Sequence, residues 1–309
     1  MKNIPNKKSA TIYIYVLKSK NGIVVLNFII IVLIFIFIVM FLLIMIHLGF
    51  QVPKNLEKMD PSSVGLEFQT VSIPTVSQKL LFGWLLPVQN STATLIILHG
   101  WGSNAQQMLP FALPFHQAGM NILLIDVRNH GRSDCDSFSS LPKFAEDLEK
   151  AIKWLKSNYP KYSKKIVLLG HSVGAGAVLL VASKRSDIDA VISISTFAYP
   201  EQMMQRFLKR FHTPSFLSSL IIHYVEWIIG YHYEEIAPIN TICHIKCPVL
   251  LVHGSIDTTV PVEDALLISS KCKRPNIKVM IVENAGHESI EKIKLHQKEL
   301  VQFLRDYNI

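Results

Sequence analysis

Chemistry in this chain could come from three side chains set far apart in sequence. They are Ser172 within Gly170-His171-Ser172-Val173-Gly174, Asp257 within His253-Gly254-Ser255-Ile256-Asp257, and His287 within Ala285-Gly286-His287. The serine follows the apolar run Ile166-Val167-Leu168-Leu169 and precedes Ala175-Gly176-Ala177, so the pattern reads strand, tight turn, helix. A serine on such a turn has a strained backbone and a hydroxyl lifted clear of the sheet, and glycines flank it because side chains there would collide across the turn. A hydroxyl is a weak nucleophile until a base takes its proton, so the turn by itself is not a site. A bare glycine-rich turn, or an anion-binding helix N-terminus, would look the same. Asp257 falls in the loop leaving a strand, ahead of Pro261 at a helix start, and His287 falls in the loop after the last strand. An acid, a base and a serine nucleophile are thereby available, with Glu283 as the alternative acid.

A fourth strand end carries His99-Gly100-Trp101-Gly102. Its glycines let the backbone fold beneath a substrate and aim an N–H at a developing oxyanion. Trp101 N–H is the expected donor, with Gly102 second, and Val173 N–H completes the pair. The chain has no P-loop and no His-Glu-x-x-His, so neither a metal nor a cofactor is expected.

These residues must be positioned by a sheet. Short apolar strands are expected at 94–98, 121–127, 165–169, 190–195, 249–252 and 278–282, alternating with helices at 105–117, 142–158, 175–184, 262–271 and 289–307. That alternation means a parallel sheet covered on both faces. Two further runs, 66–73 and 80–88, suit antiparallel strands at one edge, giving eight in all. Between 195 and 249 the chain is too long for a plain connection, and 199–211 and 215–229 have helical spacing. Residues 197–246 read as a helical cap insertion, the alternative being a crossover helix with an extended loop. Its Phe197, Met203, Met204, Phe207, Phe211, Phe216, Leu217, Ile221 and Trp227 are expected to line an apolar acyl pocket.

The 309 residues carry a net charge of +8, but residues 1–22 hold five lysines and no acid, leaving about +3 on the remainder. With no downstream stripe of basic and aromatic residues, the charge belongs to an N-terminal tail, and nucleic acid is not an expected partner. Residues 23–46 contain no charge and span about 36 Å as a helix, enough to cross a hydrocarbon core of about 30 Å. No small-residue cleavage site follows. The expected organisation is a basic tail at 1–22, a transmembrane helix at 23–47, a linker at 48–65 containing Pro53 and Pro61, and a domain at 66–309. The lysine bias places that domain on the non-cytosolic side. Cys135, Cys243, Cys247 and Cys272 match no metal spacing; their even number would permit disulfides in a translocated domain, and the alternative reading is ordinary buried thiols. Asn90-Ser91-Thr92 is a glycosylation sequon that matters only in a eukaryotic secretory lumen.

From about residue 66 onward the chain resembles the serine hydrolases of the α/β-hydrolase superfamily. The resemblance rests on His99-Gly100, the run from Asp126 to Ser133, Gly170–Gly174, His253-Gly254 with Asp257, and Gly286-His287, in the order serine, acid, histidine. Within it, the chain is similar to membrane-anchored esterases, lipases and serine peptidases. Trp101 departs from the His-Gly-Gly-Gly lipase branch. The resemblance implies that Ser172, Asp257 and His287 form a catalytic triad, with Trp101 and Val173 as the oxyanion hole. It gives Asp126, Arg128 and His130 a structural loop role only. The implied activity is hydrolysis of carboxylic esters of lipophilic or lipid-like substrates through an acyl-enzyme. A peptidase or thioesterase using the same triad, and a non-catalytic membrane-tethered binding protein, are the alternatives.

Overall fold

The computed structural model describes residues 20–272 and 274–309. Most of the expected basic tail therefore lies outside the described residues. The described chain separates into two units, residues up to Phe50 and Gln51–Ile309. The first contains helix α1 (Lys20–Gly49), of which Gly22–Gly49 has a mean hydropathy of 3.8 over its most apolar window and is long and apolar enough to cross a membrane. Length and composition are what qualify it.

The second unit is built on an eight-stranded sheet in the order β1-β2-β4-β3-β5-β6-β7-β8. Its strands are β1 (Gln69–Pro74), β2 (Leu80–Leu86), β3 (Ala93–Leu98), β4 (Asn121–Ile125), β5 (Lys165–His171), β6 (Ala190–Ile194), β7 (Val249–Gly254) and β8 (Ile277–Val282). β2 runs antiparallel to β1 and β4, and every other pairing is parallel. Every residue of β4, β6 and β7 is buried. Strands covered on both faces bury all their side chains, which is why these segments read as unbroken apolar runs.

Helices α2 (Leu109–Gln117), α3 (Leu141–Asn158), α4 (Val173–Lys184), α9 (Val262–Lys271), α10 (Ile290–Lys294) and α11 (Gln297–Arg305) cover the sheet. α3 buries Leu141, Phe144, Leu148, Ile152 and Leu155 at helical spacing, and Ser140 caps its start by accepting the Lys143 N–H. Two expected helices are interrupted. Residues 105–108 form a 3-10 turn ahead of α2, whose Pro110 cannot donate to the preceding turn. The stretch expected as one helix at 289–307 breaks at Leu295-His296.

Between β6 and β7 lie α5 (Pro200–Arg210), α6 (Ser215–Ile229), α7 (Tyr233–Ile236) and α8 (Pro238–Thr241). An ion pair from Arg206 to Asp264 at 3.3 Å, and the Asp264 carboxylate accepting Ala198 N–H at 3.2 Å, tie this insertion to α9. Its apolar side chains divide. Phe197 and Leu208 are buried, whereas Phe211, Phe216 and Trp227 are 68%, 71% and 78% exposed. The expectation for the cysteines is corrected in part. Cys243, after α8, is disulfide-bonded to Cys272 at the end of α9, while Cys135 and Cys247 are free thiols.

Candidate active site

Sheet register brings the four candidate strand ends level. Leu98 lies opposite Gly170, His171 opposite Ile194, Ile194 opposite Val252, and Gly254 opposite Val282. The loops that follow β3, β5, β7 and β8 therefore open on the same edge, where chemistry in a parallel sheet gathers.

Ser172 occupies the turn from β5 into α4 with φ 53° and ψ −117°, a conformation that non-glycine residues rarely adopt. Its N–H is held by Ile194 O at 2.9 Å and its carbonyl accepts Gly176 N–H at 3.1 Å, so both sides of the strained residue are fixed. A Cβ at Gly170 would overlap the carbonyl of Gly174, and one at Gly174 would overlap the carbonyl of His99. Both positions must therefore be glycine for the turn to close.

The structure brings Ser172, His287 and Asp257 into one hydrogen-bonded line. His287 Nε2 lies 2.9 Å from Ser172 Oγ, and His287 Nδ1 lies 2.7 Å from Asp257 Oδ2. The other oxygen of Asp257 accepts the N–H groups of Thr259 at 2.9 Å and Val260 at 2.8 Å. Buried His253 donates Nε2–H to Val260 O at 2.8 Å and stands 3.5 Å from Asp257 Oδ2. Burial opposes the charge on Asp257, but the neighbouring His253 ring and hydrogen bonds from His287 and Val260 outweigh it and hold the carboxyl below the usual carboxylate range. An anionic Asp257 accepts from His287 Nδ1–H, which leaves the Nε2 lone pair facing the serine hydroxyl. Glu283, the alternative acid, is exposed at the end of β8.

The loop after β3 comes up against the serine. A Cβ at Gly100 would stand 3.2 Å from Ser172 Cβ. Gly100, Trp101, Gly102, Ser103 and Gln107 of this loop line a pocket of about 210 Å³ together with His171, Ser172 and Glu288. Trp101 thus shares the pocket with Ser172. Val173 is the first residue of α4, where backbone N–H groups have no acceptor within the helix. Among the described residues, no group of three or more His, Cys, Asp or Glu is placed to hold a metal ion.

His99 is fully buried, and its pKa is lowered to about 4 by that burial. Its Nε2 accepts Val127 N–H at 3.2 Å, which leaves Nδ1–H to donate to Gly100 O at 2.7 Å. Arg128 is ion-paired to Asp136, Glu146 and Asp147, and the same Asp147 accepts the Thr75 hydroxyl. These residues, together with Asp126 and His130, tie loops to one another and do not meet Ser172. One contact was not foreseen from sequence. His171, beside the serine and buried, donates Nε2–H to the backbone carbonyl of His287 at 2.9 Å. Its burial and the neighbouring His287 lower its pKa, so it stays neutral. The signal was present in the pentapeptide, but a donor that reaches across 116 positions leaves no local pattern.

Residues 89–228 match the family model described as serine aminopeptidase, S33. The protein YqkD of Bacillus subtilis is 29% identical over 242 residues, covering 76% of this chain and 79% of its own length. The human α/β hydrolase domain-containing protein 17C is 26% identical over 216 residues, covering 70% of this chain and 59% of its own. Among solved structures, an esterase of Pyrococcus furiosus superposes with a TM-score of 0.70 at 28% identity, over 83% of this chain and 97% of that one.

Proposed function

We propose that the chain is a hydrolase of the α/β-hydrolase superfamily and that it cleaves carboxylic esters by nucleophilic attack of Ser172. The observation that carries this reading is the unbroken line from Ser172 Oγ through His287 to Asp257, with the serine on a strained turn. His287 Nε2 takes the hydroxyl proton as Oγ attacks the acyl carbon, and Asp257 steadies the imidazolium that forms. The backbone N–H groups of Trp101 and Val173 stabilise the oxyanion. Collapse of the tetrahedral intermediate breaks the ester C–O bond, and His287 returns its proton to the departing alcohol. Water, deprotonated by His287, then attacks the acyl-enzyme and releases the acid.

The substrate in this proposal is lipophilic, supported by the apolar helix α1 and the exposed aromatic residues of α5 and α6. The pocket wall beside Ser172 does not add to that support, since Ser103, Gln107, His171 and Glu288 are polar. Helix α1 would act as the anchor, with the catalytic domain as the Gln51–Ile309 unit carrying its helical insertion. The Cys243–Cys272 disulfide suits an oxidising compartment and so favours the non-cytosolic side. Protease added outside sealed cells should then reach the domain, and cleavage only from the cytosolic side would reverse the placement.

A second reading, hydrolysis of an amide, is favoured by the description of the matching family as an aminopeptidase. Assays of the full chain in detergent micelles separate the two. p-Nitrophenyl esters from acetate to palmitate should be cleaved with kcat/KM rising with acyl length, and aminoacyl p-nitroanilides should be poor substrates. A kcat/KM that falls steadily from acetate upward removes the lipophilic part, and faster cleavage of the anilides replaces the ester reading with the peptidase one.

A further inference from the structure

The segment just after α1 does not hang free of the domain. Lys54 Nζ donates to Ser133 O at 2.6 Å, and Asn104, itself buried, donates its side-chain N–H to Asn55 O at 2.8 Å. Gln106 Oε1 accepts two consecutive backbone N–H groups, from Lys58 at 2.6 Å and Met59 at 3.0 Å. Val52 lies close enough to Gly102 that a Cβ there would touch it at 3.8 Å. Glu57 turns inward, its side chain wholly buried, with Oε2 at 3.2 Å from Arg132 Nε. Its carboxyl converges on that of Asp126, since a Cβ at Gly131 would overlap both. Asp126 in turn accepts Ala105 N–H at 2.7 Å and Arg132 N–H at 2.9 Å.

The contacts of Val52, Asn55, Lys58 and Met59 end on the loop between His99 and Gln107, and Glu57 reaches that loop through Asp126, which holds Ala105 N–H. That loop forms most of the pocket wall opposite Ser172. A glycine-rich loop has little side-chain packing of its own to hold a backbone N–H in place. Hydrogen-bond donors to an oxyanion lose much of their effect when they are misplaced by about 1 Å.

We propose that residues 52–59 form a strap that positions the loop carrying Trp101, so that the chain leading in from the apolar helix sets the turnover rate at Ser172. The inference rests on the ester-hydrolase reading above. Gln106 and Glu57 are its positioning residues. Gln106 does not itself line the pocket yet its side chain holds two amides of the strap, and Glu57 latches the strap onto the Asp126–Arg132 turn.

The latch carries a pH dependence whose sign follows from its surroundings. Glu57 faces Asp126 and Arg132 from the loop after β4, with His130 in the same loop and Lys54 on its own segment. Burial and the adjoining Asp126 carboxyl raise the Glu57 pKa to about 7 from 4.5, against the pull of Arg132. A carboxyl whose pKa is raised on docking binds its proton more tightly when docked. Docking is therefore strongest below pH 4.5, weakens as pH rises to about 7, and is level above.

The test uses the full chain in detergent micelles, with p-nitrophenyl acetate as substrate. Gln106→Ala should lower kcat about tenfold with KM within about twofold, because a misplaced donor costs transition-state rather than ground-state binding. Gln106→Glu keeps the acceptor oxygen and should restore kcat. Hydrogen-exchange protection of the Lys58 and Met59 amides, corrected for intrinsic rate, should fall between pH 4.5 and 7 in the wild type and stay flat in Glu57→Gln. Wild-type kcat in Gln106→Ala, or a loss that Gln106→Glu does not rescue, overturns the strap. Protection that is independent of pH in the wild type overturns the latch. A chain with no Ser172-dependent hydrolysis at all would instead mark the failure of the ester-hydrolase reading.

Discussion

The sheet edge around Ser172 and the insertion between β6 and β7 use apolar sequence in opposite ways. At the sheet edge, apolar strands vanish into the core and leave a few polar groups, each with assigned hydrogen bonds, pointing at one another. In the insertion, one face packs through Phe197, Ile222 and Val225, while Phe216, Leu220 and Trp227 repeat along the opposite face of α6 in solvent. The difference teaches that geometry at Ser172 is set by backbone and register, where a small displacement breaks the line. The outer face of α6 is set by nothing within the domain. Function at the first should be brittle, and at the second tolerant.

Asp257→Asn gives the largest expected effect. The amide would pair with the wrong tautomer of His287 and should lower kcat about 10⁴-fold while leaving the fold intact. Ester hydrolysis within tenfold of wild type in this variant would remove Asp257 from the line and return attention to Glu283. A smaller loss is expected of His171→Phe, which keeps a ring of similar size but cannot donate to His287 O. Without that tether the His287 loop should sample other positions, lowering kcat about tenfold with little change in KM. Equal loss in kcat and in thermal stability, with KM altered, would make His171 a packing residue only.

Smallest is the effect of Phe216→Ser combined with Trp227→Ser. Both side chains are exposed, so stability should change by less than about 0.5 kcal/mol and acetate-ester hydrolysis by less than about twofold. The same double substitution should reduce kcat/KM for palmitate esters several-fold if that face handles lipophilic substrate. Equal rates on palmitate in both forms would confine any substrate preference to the pocket walls.

The contrast also explains what could be read from the residues alone. Strand alternation, the glycine pair around Ser172 and the order serine, aspartate, histidine are local patterns, and each strand end lies where its apolar run stops. Gly170 and Gly174 are constrained by backbone atoms a few residues away or across one strand pair, so their identity advertises the turn. The orientation of α6 is different, because apolar residues on all sides of a short helix do not say which face meets the sheet. Residues 48–65 read as a linker because they are polar and contain Pro53 and Pro61. Their docking depends on Gln106 and Asp126, many positions later, and a buried Glu57 is a residue type that usually lies on the surface. The Cys243–Cys272 pairing was equally out of reach, since it needs the segment after α8 and the end of α9 brought together by the fold.

Everything at this sheet edge turns on Ser172 being an activated nucleophile. The most direct measurement of that activation is covalent labelling of the full chain by a fluorophosphonate probe at neutral pH, with the labelled peptide identified by mass spectrometry. An ordinary serine does not react at a useful rate, because its hydroxyl keeps its proton. A single adduct on Ser172 is expected, abolished in Ser172→Ala and reduced at least about a hundredfold in His287→Ala. Labelling of Ser172→Ala at the wild-type rate, or an adduct on any other serine, would contradict an activated Ser172.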